Sequence, residues 1–114
     1  MYVYIIRCED DSLYTGVAKD IERRLREHYH RLPNAAKYTH SHPMAGIEAV
    51  WTTEDWSTAC KLEYRIKRLK RDEKLRLVLE PESISLLLKD TEKNSVITPL
   101  DKGERESLME RVTR

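Results

Sequence analysis

Apolar and polar positions change period several times along this chain, and each change marks an element. Residues 2–8, YVYIIRC, are rich in tyrosine and β-branched residues and run into the acidic cluster EDD, which predicts a strand and a turn. SLYTGVA at 12–18 predicts the returning strand of a β-hairpin. If Glu9, Asp10 and Asp11 form the loop, Cys8 faces Ser12 and even-numbered residues share one face. Tyr4, Tyr14 and Gly16 then lie together, with Gly16 leaving room beside Tyr4; a loop longer by a single residue would separate them.

Asp20 is placed to cap a helix running to about His30, with Ile21, Leu25 and Tyr29 as its apolar stripe at spacing four. At 100° per residue, Arg24 falls about 60° and His28 about 20° from Ile21, at the border of that stripe. Arg23 and Arg26 point away from it. Residues 31–46, RLPNAAKYTHSHPMAG, offer few helical cues and predict a long exposed loop, a feature often tied to function. IEAVWTT at 47–53 predicts the third strand. From Ser57, Ala59, Leu62, Ile66 and Leu69 form the buried stripe of a second helix, with Glu63 about 40° from Ala59 at its other edge. A further helix is expected over about Arg71–Leu79, before Pro81. ISLLLKD suits either a helical turn or a strand. From Thr91 the chain is polar until ERESLMERV, which predicts a flexible tail or a weak terminal helix.

The architecture so predicted is α/β of the α+β type, a three-stranded antiparallel sheet flanked by helices. It occupies residues 1–80, with a partly flexible extension over 81–114. A length of 114 residues fits one modest core. Formal charge is nearly balanced, with 21 Lys+Arg against 20 Asp+Glu, yet residues 12–78 hold 14 basic and 9 acidic side chains. That concentration permits a phosphate-facing patch. Cys8 and Cys60 form no CxxC pair and are expected to be reduced thiols of a cytoplasmic protein. No run approaches the ~20 apolar residues of a membrane span.

The order VYII, YTG ten residues after the first tyrosine, AKDIERRLREH, AKYTHSHP, a strand and STACKLEYRIKRL resembles the GIY-YIG nuclease superfamily. The likeness is greatest to its small stand-alone bacterial members, and it covers residues 2 to about 80. It implies hydrolysis of a DNA phosphodiester with one divalent metal, usually Mg2+ or Mn2+. By position, Tyr4 matches the first motif's tyrosine and Tyr14 the second's, Arg24 the helix arginine, His28 the histidine one turn later, and Glu63 the carboxylate that binds the metal. Gly16 matches the motif glycine.

These residue types suit the chemistry. Phosphodiester hydrolysis needs a deprotonated nucleophile, neutralisation of developing negative charge and help for the leaving oxygen. The resemblance implies that Tyr14, alone or through Tyr4 or His28, takes the proton of a water, and that Arg24 holds the scissile phosphate. A metal on Glu63 would polarise that phosphate. One carboxylate holds magnesium only with help from substrate oxygens and waters.

Ordinary roles exist for the same residues. Hairpin tyrosines usually pack, Arg24 suits a surface ion pair, and Glu63 suits Lys67 at i+4. His28 with His30, and His40 with His42, lack a third ligand for zinc. The chain also departs from the pattern: Tyr2 stands at the first motif's glycine and Thr15 at the second's isoleucine. Val17 replaces a lysine found in some members after the YIG glycine, which makes Lys19 the nearest amine. No asparagine follows Glu63 before Asn94. Candidate nucleic-acid contacts are Lys19, Lys37, Arg65, Lys67, Arg68 and Lys70, with Tyr38 placed to stack on an unpaired base. The expected substrate is DNA, recognised as a branch or flap, bound weakly and nonspecifically through Lys37, Arg65, Lys67, Arg68 and Lys70, or met through a partner protein, in repair or recombination. The alternatives are a non-catalytic nucleic-acid-binding module and a partner-dependent subunit on the same fold.

Overall fold

The computed structural model describes residues 1–114. Strand β1 (Tyr2–Cys8) is buried on both faces because its alternation serves two cores: Val3 and Ile5 point to one cluster, Tyr4 and Ile6 to the other. It pairs antiparallel with β2 (Leu13–Ala18) in the expected register, Tyr4 opposite Gly16 and Ile6 opposite Tyr14. The three-residue loop is closed by the Cys8 N–H donating to the Ser12 carbonyl at 2.9 Å. Asp11 ends that loop in the left-handed region, φ 68°.

Gly16 is required by a close approach. A Cβ there would lie 2.5 Å from Tyr4 Cζ and closer still to its hydroxyl oxygen, and the Tyr4 ring is fully packed. Gly16→Ala is therefore expected to lower stability by about 2 kcal/mol, measured by urea unfolding. Its neighbour Thr15 has the opposite problem, since its hydroxyl is buried without a hydrogen-bond partner. Thr15→Val removes that orphan and is expected to raise stability by about 1 kcal/mol in the same assay.

Helix α1 (Ile21–Tyr29) begins where Asp20 accepts the Arg23 N–H at 3.1 Å, and buries Ile21, Leu25 and His28. The segment expected to be a plain exposed loop contains a short helix, α2 (Lys37–Ser41), which forms because Thr39 is drawn fully into the interior against α1. Strand β3 (Met44–Thr53) pairs with β1 and starts three residues before the predicted point, Met44 pairing with Cys8 across a bulge. Asp55 caps α3 (Trp56–Lys67) by accepting the Thr58 N–H at 2.7 Å, and Ala59, Leu62 and Ile66 enter the core. α4 (Arg71–Leu79) occupies the expected residues, and Pro81–Leu87 coils as a 3-10 helix rather than a strand.

The sheet has four strands, not three, in the order β2-β1-β3-β4. β4 (Ile97–Pro99) lines Thr53–Trp51, and the Leu100 N–H donates to the Val50 carbonyl at 2.8 Å, so the outer edge of β3 is covered. Three residues ending in proline carry no alternation from which a strand can be predicted. The extension, for which the sequence leaves a flexible tail or a weak terminal helix, ends in a helix, α5 (Lys102–Thr113). Asp101 accepts the Glu104 N–H at 2.8 Å, and Glu104 accepts the Asp101 N–H at 3.0 Å. Leu108 and Val112 seat it on the Tyr4 face of the sheet.

The two faces thus carry different helices. α3, α4 and Ile84 pack on the Val3/Ile5 face, and α1 and α5 on the Tyr4/Ile6 face. Because β2 is an edge strand, α3 reaches Tyr14 around its open side. Both cysteines are free thiols, Cys8 buried and Cys60 half-buried. No helix is long and apolar enough to cross a membrane.

Candidate active site

A buried chain of hydrogen bonds links the hairpin to α1 and α2. Thr39 Oγ1 donates its single hydrogen to the Ala36 carbonyl at 2.9 Å, so it can only accept from His28 Nδ1–H, also at 2.9 Å. This fixes the neutral imidazole with Nε2 as acceptor, and Nε2 takes the Tyr4 hydroxyl hydrogen at 2.7 Å. Burial, reinforced by the Arg24 charge, lowers the His28 pKa to about 4 and keeps the ring neutral near pH 7. Burial likewise drives the Tyr4 hydroxyl above its ordinary range, with Tyr14 and Glu63 adding to the effect and Arg24 opposing it. Tyr4 is therefore a fixed donor to His28, and its oxygen faces the Arg24 guanidinium on the other side.

Tyr14 lies beside this chain. Its ring meets His28 edge-on at 5.6 Å between centroids and stacks on Tyr38 at 5.5 Å. Lys67 Nζ sits 5.6 Å from the Tyr14 ring centre and 3.5 Å from Glu63 Oε2. The ordinary i+4 ion pair of Glu63 is thus present, and it is made within the site, beside Tyr14. Arg24 Nη1 donates to Glu27 Oε1 at 2.9 Å and to the Asn34 carbonyl at 2.6 Å. Burial works against the Arg24 charge, but Glu27 and Tyr4 outweigh it and hold the guanidinium above its ordinary range. Five residues from four elements therefore converge: Tyr4, Tyr14, Arg24 and His28 in one electrostatic neighbourhood, with Glu63 at its edge.

A hard divalent ion suits this donor set only in one way. No three His, Cys, Asp or Glu side chains converge on a common point. The half-buried Glu63 carboxylate would supply one oxygen in place of its Lys67 contact, leaving the remaining positions to phosphate oxygens and water, as magnesium commonly accepts.

The candidate contacts divide. Lys67 is at the site itself. Lys19 lines a cleft of about 360 Å³ that also reaches Arg23 and Arg24. Lys37 is exposed at the start of α2, and Lys70 at the start of α4. Arg68 covers the Tyr64 ring at 5.3 Å. Arg65 does not face outward as expected for a phosphate contact: its guanidinium grips Glu92 at 2.6 and 3.1 Å and the Leu87 carbonyl at 3.0 Å, tying α3 to the later chain. Tyr38 is not a free loop tyrosine either, being half-buried between Tyr14 and His42, with 4.0 Å between the latter pair's centroids.

Sequence reasoning missed Thr39, which sets the His28 tautomer, and the Glu27–Asn34 cradle of Arg24. A lone threonine in a segment without periodicity carries no signal of its own. Only its place inside the AKYTHSHP stretch pointed toward it.

A family model described as the GIY-YIG catalytic domain matches residues 1–76. The chain is 43% identical over 91 residues to UPF0213 protein FN1575 of Fusobacterium nucleatum, covering 80% of this chain and 86% of that protein. It is 42% identical over 79 residues to UPF0213 protein SSP2268 of Staphylococcus saprophyticus, covering 69% and 94%. It is 36% identical over 103 residues to UPF0213 protein YhbQ of Salmonella arizonae, covering 90% and 96%. No solved structure matches the chain.

Proposed function

The chain belongs to the GIY-YIG family, whose catalytic domain suggests nuclease activity on DNA, and on that premise we propose that it is a divalent-metal-dependent endonuclease acting in DNA repair or recombination. The observation that carries the proposal is the buried, one-directional hydrogen bond from Tyr4 to His28, set directly behind Tyr14 and Arg24. A packing tyrosine needs only a partner for its hydroxyl. Here the partner is a histidine kept neutral and turned, by a second hydrogen bond, so that it can receive a proton.

In this proposal a water near the Tyr14 hydroxyl loses its proton to that oxygen as it attacks phosphorus in line. Tyr14 passes its own proton toward the Tyr4 oxygen as the Tyr4 hydroxyl hydrogen moves on to His28 Nε2. Arg24 turns from Glu27 and the Asn34 carbonyl to the phosphate, offering two parallel N–H donors to the crowded oxygens. Transfer to His28 becomes easier as the phosphate charge offsets Arg24, the charge that otherwise opposes imidazolium formation. A Mg2+ or Mn2+ ion on Glu63 would supply Lewis-acid stabilisation of the phosphate and the departing oxygen. The P–O bond to the water oxygen forms, the P–O bond to the leaving strand breaks, and that oxygen recovers a proton from solvent. Specificity comes from a DNA branch or flap, or from a partner protein.

The test is cutting of labelled single-stranded, duplex, flap and four-way DNA with manganese, magnesium or chelator. Cleavage is expected only with metal, and to be about a hundredfold slower in Tyr14→Phe, the usual scale for losing one proton-transfer group. Undiminished cutting by Tyr14→Phe would remove Tyr14 from the chemistry. DNA binding that survives chelation, with no cut product from the wild type under any condition, would make this a nucleic-acid-binding module instead.

A further inference from the structure

The outer face of α3 bears a surface that the proposed chemistry does not use. Trp56, Cys60 and Tyr64 follow one another at spacing four along one flank of α3, outside the buried stripe of Ala59, Leu62 and Ile66. Both rings are large and open to solvent, Trp56 at 38% and Tyr64 at 61% exposure. They flank a groove of about 490 Å³ whose walls also include Lys61, Arg65 and Lys89, with no acidic side chain among them. Glu92 answers Arg65 and Lys61 from behind, at 2.6 and 3.6 Å. The outward charge is thus that of Lys89, together with Lys19 and Arg68. Each of the last two sits against a ring, Lys19 Nζ 5.4 Å from the centre of Trp56 and Arg68 5.3 Å from that of Tyr64.

We propose that this aromatic and cationic face of α3 is a binding track for unpaired nucleotides, so that the substrate is a DNA bearing a single-stranded arm. The inference deepens the nuclease reading and rests on it for the identity of the ligand. Two open rings with cations at their faces match a ligand that is planar and anionic at once, and an unpaired nucleotide presents both a free base face and a phosphate. Paired bases hide those faces, so a duplex gains nothing from the rings. The helix rise places Trp56 and Tyr64 roughly 12 Å apart along the axis, a span of a few bases at the ~3.4 Å stacking distance. The track also begins at the site. Lys19, whose Nζ lies over the Trp56 ring, also lines the cleft that holds Arg24, and Lys67 of the same helix as Trp56 reaches the Tyr14 ring.

The experiment measures binding of fluorescein-labelled oligothymidylate, and of a duplex of the same length, by anisotropy in chelator. The proteins are wild type, the double variant Trp56→Ala with Tyr64→Ala, and Tyr64→Phe. Both positions are exposed, so the fold should survive, and circular dichroism checks it. The double variant is expected to bind the single strand at least about tenfold more weakly, while duplex affinity is unchanged and Tyr64→Phe, which keeps its ring, stays near wild type. Equal single-strand affinity in wild type and double variant would overturn the proposal, as would stronger competition by polyglutamate than by unlabelled oligothymidylate. With manganese, flap cutting by the double variant should slow while duplex cutting does not. Unchanged flap cutting would sink the track and leave the nuclease. Ring-dependent binding by a wild type that cuts no substrate would sink the nuclease and leave the track.

Discussion

Replacing Arg24 by alanine is expected to lower DNA cleavage about a thousandfold while leaving the fold nearly as stable as before. The kinetic loss follows from the position of the guanidinium, in the field of the Tyr4 hydroxyl and fixed by α1. A preorganised cation at a phosphoryl transition state is worth roughly three or more powers of ten. The small effect on stability follows from its resting contacts, a partly exposed ion pair with Glu27 and one loop carbonyl. Such pairs contribute within about 1 kcal/mol. Arg24→Lys should recover only part of the rate, because an ammonium lacks the planar fork. Single-turnover cleavage, with urea unfolding alongside, separates the two effects. A loss in rate matched by an equal loss in stability would place Arg24 in the scaffold and not at the phosphate.

The second large effect concerns pH and His28. Unfolded, this histidine takes up a proton near pH 6.5, whereas in the folded chain burial beside Arg24 lowers that point to about 4. As pH falls through the interval, the unfolded chain binds the proton first, so protonation favours unfolding. Stability is whole above about pH 6.5 and is lost progressively down to about 4, by up to about 3 kcal/mol. His28→Gln keeps a polar group of similar reach but cannot titrate. Urea unfolding of both proteins at pH 7.5 and 4.5 should show a fall in wild type that is largely absent from the variant. Parallel falls would mean that carboxylates elsewhere carry the acid sensitivity.

Much of this site was legible because its residues fall where short-range rules operate. The register that sets Tyr4 against Gly16 follows from a three-residue loop, and the borders of the helical stripes give the directions of Arg24, His28 and Glu63. Element limits for α4 and the cap Asp20 rest on equally local chemistry, whereas α3 opens at Trp56 under the Asp55 cap, a residue before Ser57. What could not be read depends on contacts distant in the chain. Thr39 is buried only because His28 waits for it, and Arg65 is neutralised by Glu92, 27 residues later. β4 exists only because β3 offers an open edge. α5 buries just Leu108 and Val112, so sparse a stripe that the sequence leaves a flexible tail and a weak terminal helix both open.

The attachment of α5 has a kinetic consequence. The helix that carries Arg24 and His28 is held on its outer flank by Arg26 donating to the Arg111 and Arg114 carbonyls, by His30 on the Val112 carbonyl and by Glu22 with Arg111. These contacts join residues separated by 82 to 89 positions, so the closure entropy of a very long loop must be met before any of them forms. The hairpin can assemble early from neighbours in sequence, but the seating of α1 is completed by the slowest encounter in the chain. In the folded protein Leu25 shares its core cluster with Leu108 and Val112 of α5, so the helix that carries Arg24 draws part of its cover from the far end of the chain. The helix that carries Arg24 and His28 is thus braced by a segment outside residues 1–76, and the chemistry proposed for it would depend on the docking of α5.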